Sequence, residues 1–114
     1  MPRPIVKQLD ETPSVPCPCG EAQRILTGED NDRLSVHVVH VSRDSRPHYH
    51  ETLTETYVVL DGEGVIELDG EEVPLRPGTV VHIPPGVRHR AVGALTILNI
   101  VTPPFDPSDE HLVE

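Results

Sequence analysis

Three histidines and one glutamate are the residues of this chain whose types and spacing could hold a metal ion. His48 and His50 are two residues apart, Glu55 follows five residues later, and His89 comes after a Pro-Pro-Gly turn. Successive side chains of a strand point to opposite faces, so His48 and His50 would share one face. If a β-scaffold brings His89 to the same place, three imidazoles and one carboxylate make a four-ligand metal site with room for substrate.

The size and charge of the chain exclude several classes of protein. Its 114 residues are enough for one domain, and 9 Lys and Arg stand against 19 Asp and Glu, for a net charge of −10. Such an acidic chain is a poor ligand for nucleic acid or anionic membranes, which attract basic patches. There is no segment of spanning length and no secretory signal. We therefore expect a cytoplasmic protein with neither a nucleic-acid nor a membrane partner.

The elements that must position these residues read as strands. Short apolar runs are separated by turn residues, and 13 prolines and 8 glycines suit many tight corners. Asp61-Gly62 and Asp69-Gly70 are typical of hairpin turns. This pattern predicts an all-β sandwich or barrel. We expect an extended arm at residues 1–20, a barrel at 21–105 and an acidic tail at 106–114. The predicted strands are residues 5–9, 22–27, 34–42, 48–50, 55–60, 65–68, 72–75, 79–83, 88–92 and 95–101.

Two spacing patterns carry a resemblance to a known family. They are His48-x-His50-x4-Glu55-x6-Gly62 and Gly78-x5-Pro84-x-Gly86-x2-His89. Together they resemble the two signature motifs of the cupin superfamily, here as a small single-domain cupin. The leading glycine region is replaced by Arg43-Asp44-Ser45, and Gly93 stands where the family usually has a closing asparagine. The resemblance implies a double-stranded β-helix, or jelly-roll, barrel. It also implies one metal near the open end, bound by His48, His50, Glu55 and His89.

Three further residues are candidates for catalysis. Tyr57 is two residues after Glu55 on the same predicted strand, so it points to the same side and should face the cavity. Its hydroxyl could position substrate there or instead bond a backbone carbonyl. His40 shares a face with Leu34, Val36 and Val38, so it could point into the barrel or simply be part of its wall. Asn99, a polar residue within an apolar run, would face the pocket or satisfy nearby backbone.

Four other polar residues lie in or beside the predicted strands. His37 lies on the face of its strand opposite His40, which predicts a surface or interface position. Arg46 and Arg88 flank the ligand segments, and could receive an anionic substrate or form surface salt bridges. His82 alternates with Val81 and Ile83, and the sequence does not decide its side.

The donor set limits the metal, and the resemblance limits the function. Imidazoles with a carboxylate suit Zn, Ni, Fe, Mn or Cu, and the sequence does not choose among these divalent ions. Cupins of this type resemble dioxygenases, decarboxylases, isomerases and epimerases. We therefore expect a metal-dependent enzyme, of dioxygenase or isomerase/epimerase type, acting on a small polar organic substrate. The alternative is a non-catalytic module that binds a sugar or another small ligand.

Two features at the N-terminal end concern assembly and redox chemistry. The arm and the strand at 22–27 offer a sheet edge that needs covering, which favours a homodimer. Cys17 and Cys19 are separated by a single proline, an awkward spacing for a mutual disulfide. They could instead bind a soft metal with a partner chain, act as redox thiols, or be incidental to the arm.

Overall fold

One antiparallel sheet of nine strands curls on itself in this computed structural model, which describes residues 3–42 and 45–113. The predicted all-β class is confirmed. Arg43 and Asp44, from the expected glycine region, lie outside the described residues. In chain order the strands are β1 (Ser14–Cys17), β2 (Gly20–Leu26), β3 (Ser35–Val41), β4 (His48–Tyr49), β5 (Thr54–Leu68), β6 (Glu71–Leu75), β7 (Val80–Ile83), β8 (His89–Thr102) and β9 (His111–Leu112).

Two long strands hold the sheet together. β5 and β8 pair with each other from Thr54 opposite Thr102 to Leu68 opposite His89. β8 also pairs with β3 and β4, whereas β5 pairs first with β7 and then with β6. The remaining order is β1-β2-β3 on one side and β4-β9 on the other. Both long strands therefore run through the two halves of the curled sheet.

A bulge lies where the sequence predicted a hairpin turn. The expectation that Asp61-Gly62 ends a strand is wrong, because the pairing of β5 with β8 only shifts register between Val59 and Asp61 and then continues. Gly62 has φ +88°, and an Asp-Gly pair serves a bulge as well as a turn. The predicted strands at 88–92 and 95–101 likewise form one strand. Asp69-Gly70 does form the expected turn, with φ 49° and 87°.

The close approach of β5 and β8 next to this bulge leaves no room for side chains at two glycines. A Cβ atom on Gly62 would overlap the carbonyl oxygen of Ala94. On Gly93, where φ is +132°, a Cβ would lie 2.7 Å from the carbonyl oxygen of Glu63. Gly93 therefore meets a backbone requirement, which is a physical reason for glycine where the motif usually has asparagine.

The core lies between the two halves of the curled sheet. Its most buried side chains include Ile66, Ile83 and Ile97, each at most 1% exposed. In β5 the buried positions alternate from Glu55 through Tyr57 to Val59, so the polar residues of this strand continue the inward-facing row of the core. The functional side chains are thus fixed on the same face as the packed interior.

The two ends of the chain carry short elements that the sequence did not predict. The predicted strand at 5–9 is wrong, since a single 3-10 turn covers Leu9–Glu11 and Val6 is 81% exposed with no neighbouring strand. The strand at 22–27 is not an edge, because β2 lies between β1 and β3. At the other end a 3-10 turn at Pro107–Asp109 leads into β9, which pairs with β4. The division into arm, barrel and tail stays a prediction.

Cys17 and Cys19 form a disulfide, which corrects the expectation of separate thiols. In an extended strand, Cα atoms two residues apart are about 6.6 Å from each other. Here the chain bends between β1 and β2, where Cys17 is opposite Gly20, and the two Cα atoms are 5.3 Å apart. That distance falls within the normal range for a disulfide.

Helices contribute little to this fold. Within residues 3–42 and 45–113, no helix has the length and apolar character needed to cross a membrane.

The bend can be tested with two glycine substitutions of equal backbone conformation. Gly62 and Gly78 have φ of +88° and +91°, but a Cβ on Gly78 would have nothing within 4 Å. We expect Gly78→Ala to lower the free energy of unfolding by about 1 kcal/mol, from backbone strain alone. Gly62→Ala should cost about 3 kcal/mol or more, because β5 and β8 must also separate. Denaturant unfolding measures both losses. Equal losses would contradict the close approach of β5 and β8 at Gly62.

Candidate metal centre

The residues of the two motifs meet inside the barrel. His48 lies in β4, His50 follows that strand, Glu55 lies in β5 and His89 begins β8. Pairing of His48 with His89 brings the second motif to the first. One possible ligand atom from each residue lies within 4.8 Å of the others, and all four are at most 5% exposed. We refer to these residues as the four-residue cluster.

Several atoms of this cluster are buried and have no hydrogen-bond partner among residues 3–42 and 45–113. They are Nε2 of His50, Nε2 of His89 and Oε1 of Glu55. Oε1 of Glu55 lies 3.2 Å from Nδ1 of His50 and 2.9 Å from Nε2 of His89. Buried polar atoms are nearly always paired in folded proteins. A shared cation would satisfy these atoms together.

Groups around the cluster fix the orientation of its members. Nδ1 of His48 lies 3.0 Å from the carbonyl oxygen of Arg46, and Nδ1 of His89 lies 2.9 Å from that of Val87. A proton on each Nδ1 donates to the carbonyl and leaves the lone pair of Nε2 for a metal. The amide of Asn99 donates to Oε2 of Glu55 at 2.6 Å. Oε1 of that carboxylate is thereby left to face the imidazoles.

The charges of the cluster depend on one another. Burial opposes ionisation of Glu55, but His50 and His89 outweigh it and lower the pKa of this carboxyl below its usual value. Burial also disfavours a charged His50, yet the Glu55 carboxylate raises the pKa of that imidazole. Burial and the charge of His89 lower the pKa of His48 to about 4. An ionised Glu55 and a neutral His48 are in the states that metal ligation requires.

The residues present fit a divalent transition metal. Three imidazoles disfavour calcium, which takes oxygen ligands, and they suit zinc, nickel, iron and copper, while the carboxylate extends the range to manganese. Four protein ligands leave one or two positions open on a five- or six-coordinate ion. This donor set does not distinguish among the five metals.

Two of the three predicted catalytic residues lie beside the cluster. Tyr57 is 7% exposed, and its ring centroid is 6.1 Å from that of His89. Burial, together with the charge of Glu55, raises the pKa of Tyr57 well above its usual value, so its hydroxyl keeps its proton. Asn99 is also buried and contacts the cluster through Glu55, as a residue that positions this ligand.

The side of the sheet that was expected for each histidine of β3 is wrong. His40 is exposed, and its Nε2 lies 2.8 Å from Oε1 of Gln23 on the outside of the sheet. His37, expected at the surface, is 4% exposed and points inward. Both faces of β3 are apolar, since Val38 and Val39 are each buried. The hydrophobic pattern could not decide which of the two histidines faces the cavity.

Other residues around the cavity were not found from the sequence. Arg24, His37, Phe105 and Glu110 line the same cavity as His48, Glu55 and Tyr57. Burial raises the pKa of Glu110. Arg24 is two residues after the buried Ala22 in β2, so both point to the same side of the sheet. This spacing is the feature of the sequence that could have indicated its position. Glu110 gave no signal, because an acidic C-terminal stretch resembles a solvated tail.

The C-terminal segment, residues 105–113, is hydrogen-bonded to the loop that follows His50. The carboxylate of Asp109 accepts hydrogen bonds from the backbone N–H groups of Glu51, Thr52 and Leu53, at 2.8–3.0 Å. Burial opposes its charge, but these bonds lower the pKa of Asp109 to about 2. Asp109, Glu51 and His111 could also hold an ion. Because this carboxylate already serves the backbone, we favour the buried cluster as the metal centre.

Neither of the two arginines that flank the motifs is buried. Arg46 and Arg88 are exposed, and the guanidinium of Arg88 lies 5.9 Å from the ring centroid of Tyr49. His82 is exposed as well, and its Nδ1 lies 3.0 Å from the hydroxyl of Thr56. Arg24 lines the cavity described above, whereas Arg46 and Arg90 line a neighbouring cavity with His48 and Tyr57.

Part of the chain matches a known protein family. Residues 35–97 match the family described as Cupin domain. This match covers more than half of the 114 residues, so the chain belongs to the cupin family. The resemblance predicted from the two motifs is confirmed.

A solved structure of a protein from Planctomyces limnophilus is similar over nearly the whole chain. The two sequences are 47% identical, the TM-score is 0.88, and the alignment covers 97% of this chain and 96% of that one. The jelly-roll cupin barrel expected from the motifs is confirmed.

Two curated relatives are enzymes by name. Quercetin 2,3-dioxygenase of Bacillus subtilis is 32% identical over 83 residues, which cover 61% of this chain and 25% of that protein. L-ectoine synthase of Aliivibrio fischeri is 34% identical over 82 residues, which cover 67% of this chain and 64% of that protein. The chain thus spans a quarter of the first relative and less than two thirds of the second.

Removing one imidazole tests the cluster as a metal centre. His50→Ala should lose most of the bound metal, and its melting temperature should fall by about 4–8 °C for each kcal/mol of lost binding energy. His40→Ala is the matched control, because this histidine is exposed and should leave the metal content unchanged. Elemental analysis and thermal unfolding give both readouts. Equal metal content in the two variants would contradict the assignment.

The attachment of the C-terminal segment should depend on pH. The pKa of Asp109 lies at about 2, below the model-peptide value of 3.8, so its stabilising effect is complete above the higher value and disappears as the pH falls through the lower one. In metal-free protein, Asp109→Asn should therefore lower the free energy of unfolding by a constant amount above a pH of about 5. That difference should shrink as the pH falls to about 2. A difference that persists unchanged at the acid end would show that the carboxylate charge is not involved.

Proposed function

We propose that this cupin is a metal-dependent enzyme acting on a small polar organic substrate. The observation that carries the proposal is the convergence of unpartnered buried atoms on one point, from His50, Glu55 and His89. One divalent ion from the set Zn, Ni, Fe, Mn and Cu is the proposed cofactor. When bound, such an ion would act as a Lewis acid towards substrate oxygens or would activate molecular oxygen.

Groups that can hold or move a proton lie next to the cluster. Tyr57 and Glu110 line the same cavity as Glu55. Burial raises the pKa of Glu110 and of Tyr57. Tyr57 therefore keeps its proton and can donate a hydrogen bond, whereas Glu110 can act as the proton acceptor. A base with a raised pKa beside a metal centre suits abstraction of a proton next to a carbonyl group. This arrangement favours the isomerase type over the dioxygenase type.

His40 has no part in this proposal, because it is exposed on the outer face of β3. Asn99 enters it as a positioning residue, since its amide holds one oxygen of Glu55. Tyr57 and Glu110 remain as the proposed catalytic groups.

A second candidate is a metal-containing module that binds a small ligand without turnover. The attachment of the C-terminal segment favours it, because three backbone hydrogen bonds to Asp109 fix the segment beside the cavity. An enzyme that closes over its substrate commonly needs a mobile segment at this place.

Assembly and location stay predictions. A second copy could cover the exposed side chains of Ile5, Val6, Leu60 and Val80, which supports a homodimer as a proposal. The expected cytoplasmic location can be tested through the Cys17–Cys19 disulfide, since reducing compartments keep most thiols reduced.

A deuterium-exchange screen tests the enzyme proposal. Metal-free protein is loaded with each candidate metal and incubated in heavy water with small hydroxy acids, keto acids and sugars, while an electrode follows oxygen. We expect one metal form to exchange a carbon-bound hydrogen of one substrate class. Glu110→Gln should slow this exchange about 100-fold, whereas Glu72→Gln, at an exposed position, should not. Metal-loaded protein that neither exchanges hydrogen nor consumes oxygen with any compound would contradict the enzyme proposal and support the binding module.

A further inference from the structure

Four inward-facing polar side chains form a row across adjacent strands. Arg24 in β2 is opposite His37 in β3, His37 is opposite Asn99 in β8, and Asn99 is opposite Tyr57 in β5. Residues directly opposite each other on paired strands share one face of the sheet. We call Arg24, His37, Asn99 and Tyr57 the polar row. It starts beside the four-residue cluster and leads away from it.

Three members of the polar row carry a buried atom that has no hydrogen-bond partner in the part of the chain that the structure describes. These atoms are Nε of Arg24, Nε2 of His37 and Oδ1 of Asn99. His37 and Asn99 are 4% and 5% exposed. None of these atoms belongs to the metal cluster, so an ion bound there would not satisfy them. Unpartnered atoms on three neighbouring strands call for a ligand that lies along the row.

The far end of the row is held by an aromatic ring. The guanidinium carbon of Arg24 lies 4.8 Å from the ring centroid of Phe105, and the ring of His37 meets Phe105 edge-on at 5.4 Å. Burial and the charge of Arg24 lower the pKa of His37 to about 4, so this imidazole is neutral near pH 7. Within the described residues Arg24 forms no salt bridge. Its positive charge therefore remains available to an anion.

The spacing of the row sets the length of the ligand. Neighbouring strands lie about 4.8 Å apart, so two intervals separate the backbones of Asn99 and Arg24 by about 10 Å. Asn99 already contacts Glu55 of the cluster. A molecule of this length held at the metal centre would reach Arg24, beside which a second cavity of about 360 Å³ is lined by Arg24, His37 and Phe105. The inner cavity beside the cluster is about 30 Å³, so the side chains that line it must move to admit the molecule.

The unpartnered atoms also define the chemistry of this molecule. Oδ1 of Asn99 accepts a hydrogen bond, because its amide nitrogen is already used by Glu55, and a substrate hydroxyl can supply the donor. Nε–H of Arg24 donates to an anion. One guanidinium beside a neutral imidazole balances the single charge of a carboxylate better than the double charge of a phosphate, particularly close to Glu55 and Glu110.

We propose that Arg24, His37 and Asn99 bind the far carboxylate and the hydroxyl of a small hydroxylated dicarboxylic acid, whose near end is held at the four-residue cluster. This inference rests on the proposed function, since it takes that cluster as the metal centre. Arg24 determines specificity in this account, and Phe105 positions it.

Matched acids test the subsite by calorimetry on the metal-loaded protein. The dicarboxylates are malate, α-hydroxyglutarate and α-hydroxyadipate, and the controls are the monocarboxylates of equal chain length, α-hydroxybutyrate, α-hydroxyvalerate and α-hydroxycaproate. We expect at least one dicarboxylate to bind about tenfold or more tightly than its control, as for a buried hydrogen bond to a charged group. Arg24→Gln should remove this preference, Arg24→Lys should keep part of it, and Arg76→Gln, at an exposed turn, should keep all of it.

The outcomes separate this inference from the proposed function. Equal binding of dicarboxylates and monocarboxylates to metal-loaded protein would overturn the subsite and leave the metal centre intact. Absence of binding by either series would overturn the subsite alone, whereas absence of a bound metal would overturn the proposed function as well. A preference that survives in Arg24→Gln would also overturn the subsite.

Zinc-loaded protein gives an independent readout of the same subsite. The hydroxylated dicarboxylate that binds most tightly should shift the Nε–H resonance of Arg24 in a nitrogen-resolved spectrum, and should not shift that of Arg76. A spectrum in which the Arg24 resonance does not move would contradict the proposal.

Discussion

Burial of one carboxylate among three imidazoles is the constraint on which the rest of this structure depends. Glu55 directs one oxygen at His50 and His89, and Asn99 holds the other. A buried charge costs several kcal/mol unless it is compensated, and among the described residues Oε1 of Glu55 has no well-formed hydrogen bond. A bound cation would compensate this charge, and the surrounding strands hold the four side chains close enough together for one.

The strands that supply the ligands also create the cavity. β5 and β8 carry Glu55, Tyr57, His89 and Asn99. These two strands can approach each other closely because glycines lie where their backbones meet. The C-terminal segment closes one side of the cavity, where it contributes Phe105 and Glu110. A chain with a net charge of −10 thus places the guanidinium of Arg24 at the end of an inward-facing row.

Periodicity and spacing were sufficient to predict that His48, His50, Glu55 and His89 come together, because the alternation of a strand and the motif distances are local properties of the sequence. They could not decide between His37 and His40, since both faces of β3 are apolar. Nor could they separate a turn from a bulge at Asp61-Gly62, because both need a glycine with positive φ. Glu110 was missed for a different reason. Its position depends on hydrogen bonds from Asp109 to a distant loop, and such long-range contacts leave no local pattern.

Anomalous diffraction from crystals of protein purified without a chelator tests the central claim most directly. The account predicts one anomalous peak per chain, bonded to His48, His50, Glu55 and His89 at about 2.0–2.3 Å. A fully ordered cluster with no peak after reconstitution, or a peak at Glu51, Asp109 and His111 instead, would contradict it.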